Sequence, residues 1–120
     1  MENINVSEDL LNTETVNVVA TGLPDEVMSK ISELSKKGYQ LIKENDIAGA
    51  KDAFNSILLI EDNNKYALVG LGDTERKQNH FNDAINYYKK CLEYYPANNY
   101  VLFGLADCYK SLNLYAKAID

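Results

Sequence analysis

The apolar positions of this chain step by three and four, and the stepping itself repeats. Leu68, Leu71 and Gly72 keep this spacing, and Phe81, Ala84, Ile85, Tyr88, Cys91 and Leu92 resume it, as expected for amphipathic helices. Between the two runs Gln78-Asn79-His80 is a polar break. After them Pro96 cannot continue a helix, and Asn98 or Asn99 suits the cap of a third run. Sliding the chain against itself by 34 residues superimposes the pattern. Leu34, Leu68 and Leu102 fall in one column, Gly38, Gly72 and Ala106 in another, and Ala50, Ala84 and Ala118 in a third. Ile47, Phe81 and Tyr115 align, as do Asn45, Asn79 and Asn113, while Phe54 pairs with Tyr88 and Leu58 with Leu92. The self-similarity runs from about Ile31 to Asp120.

Each period predicts two antiparallel helices whose apolar stripes cannot be buried within one hairpin, so hairpins must stack on copies of themselves. The pairs Gly38 with Ala50, Gly72 with Ala84 and Ala106 with Ala118 would let the two helices of a hairpin approach closely. Phe54 or Tyr88 would then fill the gap toward the following repeat. Upstream, Leu23-Pro24-Asp25-Glu26 reads as a helix start, with proline in the first turn and acidic residues at the positive helix end. That helix is expected from about Pro24 to Glu44. Residues 1–22 lack a helical period, and their polar, acidic composition predicts a disordered leader. Residues 23–120 form the helical domain, with repeats at about 31–64, 65–98 and 99–120. The last is incomplete, because only six residues follow the break expected before Tyr115.

These residues resemble the tetratricopeptide repeat, a 34-residue unit with Leu-Gly and Tyr in its first helix and Ala, Phe and Pro in and after its second. Residues 65–98 supply Leu71, Gly72, Glu75, Ala84, Tyr88, Cys91 and Pro96 to that pattern. Residues 99–120 supply Leu105, Ala106, Tyr109 and Ala118, and residues 31–64 supply Lys37, Gly38, Leu41, Ala50, Phe54, Ile57 and Asp62. Lys37, Glu75 and Asp62 depart from the family pattern and blur the edges of the first repeat. The resemblance implies an all-α fold of antiparallel helical hairpins stacked as a right-handed superhelix, a solenoid, with the third repeat truncated.

It also implies a function. In this family the first helices of successive hairpins line a concave groove that holds a segment of a partner protein. Residue by residue, the first repeat brings Ser32, Ser35, Tyr39, Ile42 and Lys43 to that face, and the second brings Tyr66, Val69, Asp73, Arg76 and Lys77. The third brings Tyr100, Phe103, Asp107, Lys110 and Ser111. The candidate partner-binding residues are Tyr39, Tyr66, Val69, Asp73, Arg76, Tyr100, Phe103, Asp107 and Lys110, since aromatics with flanking charge make up interface hot spots. Family members that grip acidic chaperone tails do so through a clamp of Lys, Asn and Arg. At the corresponding positions this chain has Ser35, Tyr39, Gly70, Tyr100 and Gly104. The implied ligand is therefore an extended or helical segment with apolar anchors.

Charge narrows the partners further. The first 29 residues hold six of the eighteen acidic residues and none of the twelve basic ones, so the net charge of -6 belongs to the leader and the remainder is balanced. No basic cluster favours nucleic acid, no apolar run is long enough for a membrane span, and the start is not a secretory signal. The expected location is cytoplasmic. Cys91 and Cys108 are too few for a disulfide framework or a zinc site and read as packed thiols. His80, the single histidine, falls in a turn, and Gly70-Leu71-Gly72 lies within a helix rather than a phosphate loop. No catalytic constellation, cofactor or metal is expected, so the chain reads as a protein-interaction scaffold rather than an enzyme. The alternative is the N-terminal recruiting arm of a larger enzyme whose catalytic domain lies beyond residue 120. Self-association through the open C-terminal end is a further expectation.

Overall fold

The structure, a computed structural model, describes residues 22–119, with side chains described as far as Leu114. The predicted disorder of the leader lies outside these residues except for Gly22. Five helices follow one another: α1 (Asp25–Lys43), α2 (Ile47–Ile60), α3 (Lys65–Lys77), α4 (Phe81–Tyr94) and α5 (Asn99–Ile119), with no strand among the described residues. The chain divides into two units, Met1–Lys30 and Ile31–Asp120, and all the repeats lie in the second.

The helix ends follow from particular side chains. Asp46 accepts the Gly49 amide at 3.0 Å, Asn64 that of Ala67 at 3.0 Å, and Asn98 that of Val101 at 3.1 Å. Each satisfies an amide that has no partner within its helix. The turns inside the hairpins close on the asparagine column. Asn45 and Asn79 have φ of 62° and 64°, a left-handed conformation that asparagine tolerates better than most residues. Around them, Asp46 N–H donates to Leu41 O at 2.8 Å and His80 N–H to Glu75 O at 2.9 Å. Asn45 and Asn79 themselves donate to Ile42 and Arg76. This is the Schellman pairing that caps a helix C-terminus.

The third member of that column behaves differently. A break at Asn113 was expected, yet α5 runs without interruption from Asn99 to Ile119. A left-handed turn costs backbone energy that the packing of a following helix must offset, as α4 does by burying Phe81, Ala84, Ile85 and Tyr88. Past Asn113 the backbone instead keeps helical geometry as far as Ile119.

The hairpins are joined by two aromatic wedges. Phe54 is fully buried, and its ring fills the space that a Cβ would need at both Gly38 and Gly70. Tyr88, also fully buried, stands in the same way against Gly72 and Gly104. Each wedge thus spans the first helix of its own repeat and that of the next, as the spacing predicted for the side toward the following repeat. Around Tyr88 the core gathers Leu68, Phe81, Ala84, Ile85, Cys91, Val101 and Cys108. Both thiols are free and buried, and burial pushes them above the ordinary thiol range. Glu75, the departure from the family's tyrosine, is buried and held by Lys51 of α2 at 3.2 Å and His80 at 3.0 Å.

Gly70→Ala tests the wedge. In an open helix position that change stabilises by up to about 1 kcal/mol. Here the new methyl group meets a Phe54 ring with nowhere to move, and the variant is expected to lose about 1–3 kcal/mol by overpacking. A chemical-denaturation midpoint equal to or above that of the parent would contradict the wedge.

Candidate functional site

Tyr39 on α1, Lys65, Tyr66 and Val69 on α3, and Asn98 and Tyr100 at the start of α5 surround a concavity of about 390 Å³. Its walls are mainly apolar. Each wall residue is placed by a packing constraint below it. Tyr39 sets its ring edge-on to Phe54, with centroids 5.2 Å apart and planes at 74°. Val69 is only 7% exposed and roots the floor in the core, whereas Tyr66 and Tyr100 are each 52% exposed. The Lys65 ammonium lies over two rings, 5.3 Å from the centroid of Tyr66 and 5.6 Å from that of Tyr95, a cation–π arrangement that fixes a flexible side chain. Tyr95 is tied back by its hydroxyl, which donates to Asn63 O at 3.3 Å.

Beside this concavity, Asp73 is the electrostatic centre. Its side chain is nine-tenths buried. Tyr88 donates to Oδ1, Tyr100 donates to Oδ2 at 2.9 Å, and Arg76 approaches Oδ1 at 3.5 Å. Arg76 also reaches Asp107 Oδ2 of α5 at 3.4 Å and stacks 5.8 Å from the Tyr88 centroid. Three helices therefore meet at one carboxylate. Burial pushes the Asp73 carboxyl above the usual range, and the Tyr88 and Tyr100 hydroxyls and the Arg76 charge pull it partly back. The phenols of Tyr39, Tyr88 and Tyr100 are all raised, first by burial and then by the nearby Asp73. They remain protonated donors.

Comparison with known proteins bears on the same helices. Residues 75–120, covering the end of α3, all of α4 and α5, match the family model described as Tetratricopeptide repeat. Over these residues the chain is similar to the tetratricopeptide repeat family. No curated protein matches the chain. Repeats of this family generally mediate contacts between proteins, and no helix among the described residues is long and apolar enough to cross a membrane.

Within the tetratricopeptide frame, four of the nine predicted residues, Tyr39, Tyr66, Val69 and Tyr100, line the concavity. Asp73, Arg76 and Asp107 form the adjoining polar chain. Phe103, 77% exposed, is outside the lining, and Lys110 is exposed with no ion-pair partner among the described residues. Two lining residues, Lys65 and Asn98, escaped the sequence reading. Lys65 lies off the apolar stripe and reaches the site by bending over Tyr66. Asn98 was read only as a cap. The Tyr88 hydroxyl escaped as well, because its ring belongs to the core.

A second polar group has a different explanation. One ligand atom each from Glu75, His80 and Asp83 falls within 4.8 Å of the others, a spacing compatible with a cation. Lys51 occupies the second Glu75 oxygen, and the N-terminus of α4 adds positive potential at the same point. The Lys51 ion pair and the His80 hydrogen bond secure the buried Glu75 at this cluster.

The Asp73 geometry generates a test. Because its folded carboxyl is raised above 3.8, the native state holds the proton more tightly than the unfolded chain does. Its contribution to stability therefore falls as pH rises from 3.8 through the folded value. Tyr88→Phe removes the largest of the influences that lower it, so the Asp73 carboxyl should titrate at higher pH still. Stability near neutral pH should drop by about 1–3 kcal/mol. Carboxyl-carbon NMR titration reads the first effect and urea unfolding the second. An unmoved Asp73 titration would mean that the Tyr88 hydroxyl does not hold it.

Proposed function

We propose that this chain is a protein-interaction scaffold that holds a segment of a partner against the face formed by α1, α3 and α5. One observation carries the reading: the concavity walled by Tyr39, Tyr66, Val69 and Tyr100, whose aromatic rings are partly exposed, with Tyr39 set edge-on to Phe54 and Tyr100 bonded to Asp73. Rigid, half-exposed tyrosines give large contact area at little entropic cost, and a pre-shaped apolar recess spares the partner part of the ordering penalty. Arg76 and Asp107 flank the recess, as polar groups do at interface rims.

The test is affinity capture from the source cells with the parent chain and with Tyr66→Ala/Tyr100→Ala. Both rings are half exposed, but Tyr100→Ala also removes a donor from Asp73, so urea unfolding of the double variant is measured alongside capture. A protein retained by the parent and lost, or reduced at least about tenfold, in the double variant places the partner in the groove. Equal retention by both forms would move the binding surface elsewhere. Phe103→Ala, tested separately, shows whether the exposed ring beyond the recess contributes.

Self-association is a second reading, favoured by α5. Leu102, Ala106 and Tyr109 lie on one stripe of that helix and are all exposed. A second copy's α5 would cover them about a twofold axis. Light scattering over a concentration series should show dimer in the parent and monomer in Leu102→Glu. A parent that stays monomeric throughout would remove this reading.

A further inference from the structure

We infer that the tyrosine-walled recess takes a bulky apolar side chain with a carboxylate beside it, so that the partner is an acidic segment carrying an aromatic or large aliphatic anchor. This deepens the groove reading and rests on it. The argument is one of charge left over. Lys65 is the sole charged residue lining the recess, and no carboxylate among the described residues lies within ion-pair distance of it. Its ammonium rests on the faces of Tyr66 and Tyr95, which position the charge without neutralising it.

The same imbalance continues along α3 and α5. The acidic residues of this face are Asp73 and Asp107, and Arg76 reaches both, while the Tyr88 and Tyr100 hydroxyls supply Asp73 with two further donors. Lys77 and Lys110 have no ion-pair partner among the described residues. The acids are thus already engaged and the lysines are not. An incoming carboxylate would meet Lys65 at the rim while its neighbouring side chain entered between Tyr39, Tyr66 and Tyr100. An incoming lysine or arginine would instead face an ammonium at the mouth of the recess and carboxylates that are already satisfied. The volume of about 390 Å³ holds one large side chain together with the backbone that carries it.

The experiment is selection of a random displayed peptide library on the purified chain, followed by binding measurements on the enriched peptides. The expected result is enrichment of peptides in which Asp or Glu neighbours Phe, Trp, Tyr, Leu or Met. Their binding should be lost in Tyr66→Ala and weakened about three- to tenfold in Lys65→Met. Lys65→Met keeps the aliphatic stem over the two rings and removes only the charge. Replacing the peptide's acidic residue by its amide should weaken binding to the parent by a similar factor and have little further effect on Lys65→Met. Peptides lost in Tyr66→Ala but showing no acidic excess, or a basic one, would overturn this inference and leave the groove reading standing. Peptides that bind Tyr66→Ala as well as the parent, or a library with no enrichment, would overturn both.

Discussion

The contact on which the rest of the structure depends is an aromatic ring pressed against two glycines that belong to different repeats. Phe54 does this with Gly38 and Gly70, and Tyr88 with Gly72 and Gly104. A helix hairpin of this length has too little apolar surface to stand alone, so its stability is shared with its neighbour. The wedge is where the sharing happens. It needs a large, flat side chain on one side and no side chain at all on the other, which explains why these positions differ so sharply in size. The groove follows from the same contact. With α1, α3 and α5 brought close by their glycines, Tyr39, Tyr66 and Tyr100 are left facing a common space rather than each other's helices.

Electrostatics then sets the character of that space. Asp73 is costly to bury, and its place is held by donors from α4 and α5 together with an arginine from its own helix. Satisfying one carboxylate in this way consumes the polar capacity of the middle of the face. What remains is the apolar recess to one side and lysines without an ion-pair partner among the described residues along the edge. Glu75 shows the same rule on another face. An acidic residue stands where the family has tyrosine, and Lys51 and His80 bring the compensating groups to it.

The helices and their order were legible because glycine, alanine and aromatic columns recur at one spacing, and the physical demand of the wedge recurs with them. The aromatic residues of the recess were legible for a related reason, since the first helix of each repeat turns the same stripe toward the same side. Lys65 was not, because a residue at the start of a helix lies off that stripe and its reach depends on which rings lie beside it. Tyr88 was read by its ring, and nothing along the chain says that its hydroxyl arrives at Asp73, fifteen positions away. Asn113 misled for a different reason. Asn45 and Asn79 precede helices that bury apolar residues, and the residue type alone does not say whether a helix ends.

Tyr88 belongs to the interior by its ring and to the groove by its hydroxyl. A segment settling against Tyr100 and the Asp73 network would press, through that one side chain, on the junction between two repeats. On the proposed groove reading, occupancy of the groove and cohesion of the array would be a single equilibrium seen from two ends. Whatever loosens the stacking would then loosen the grip, and a tightly held partner would act as one more wedge.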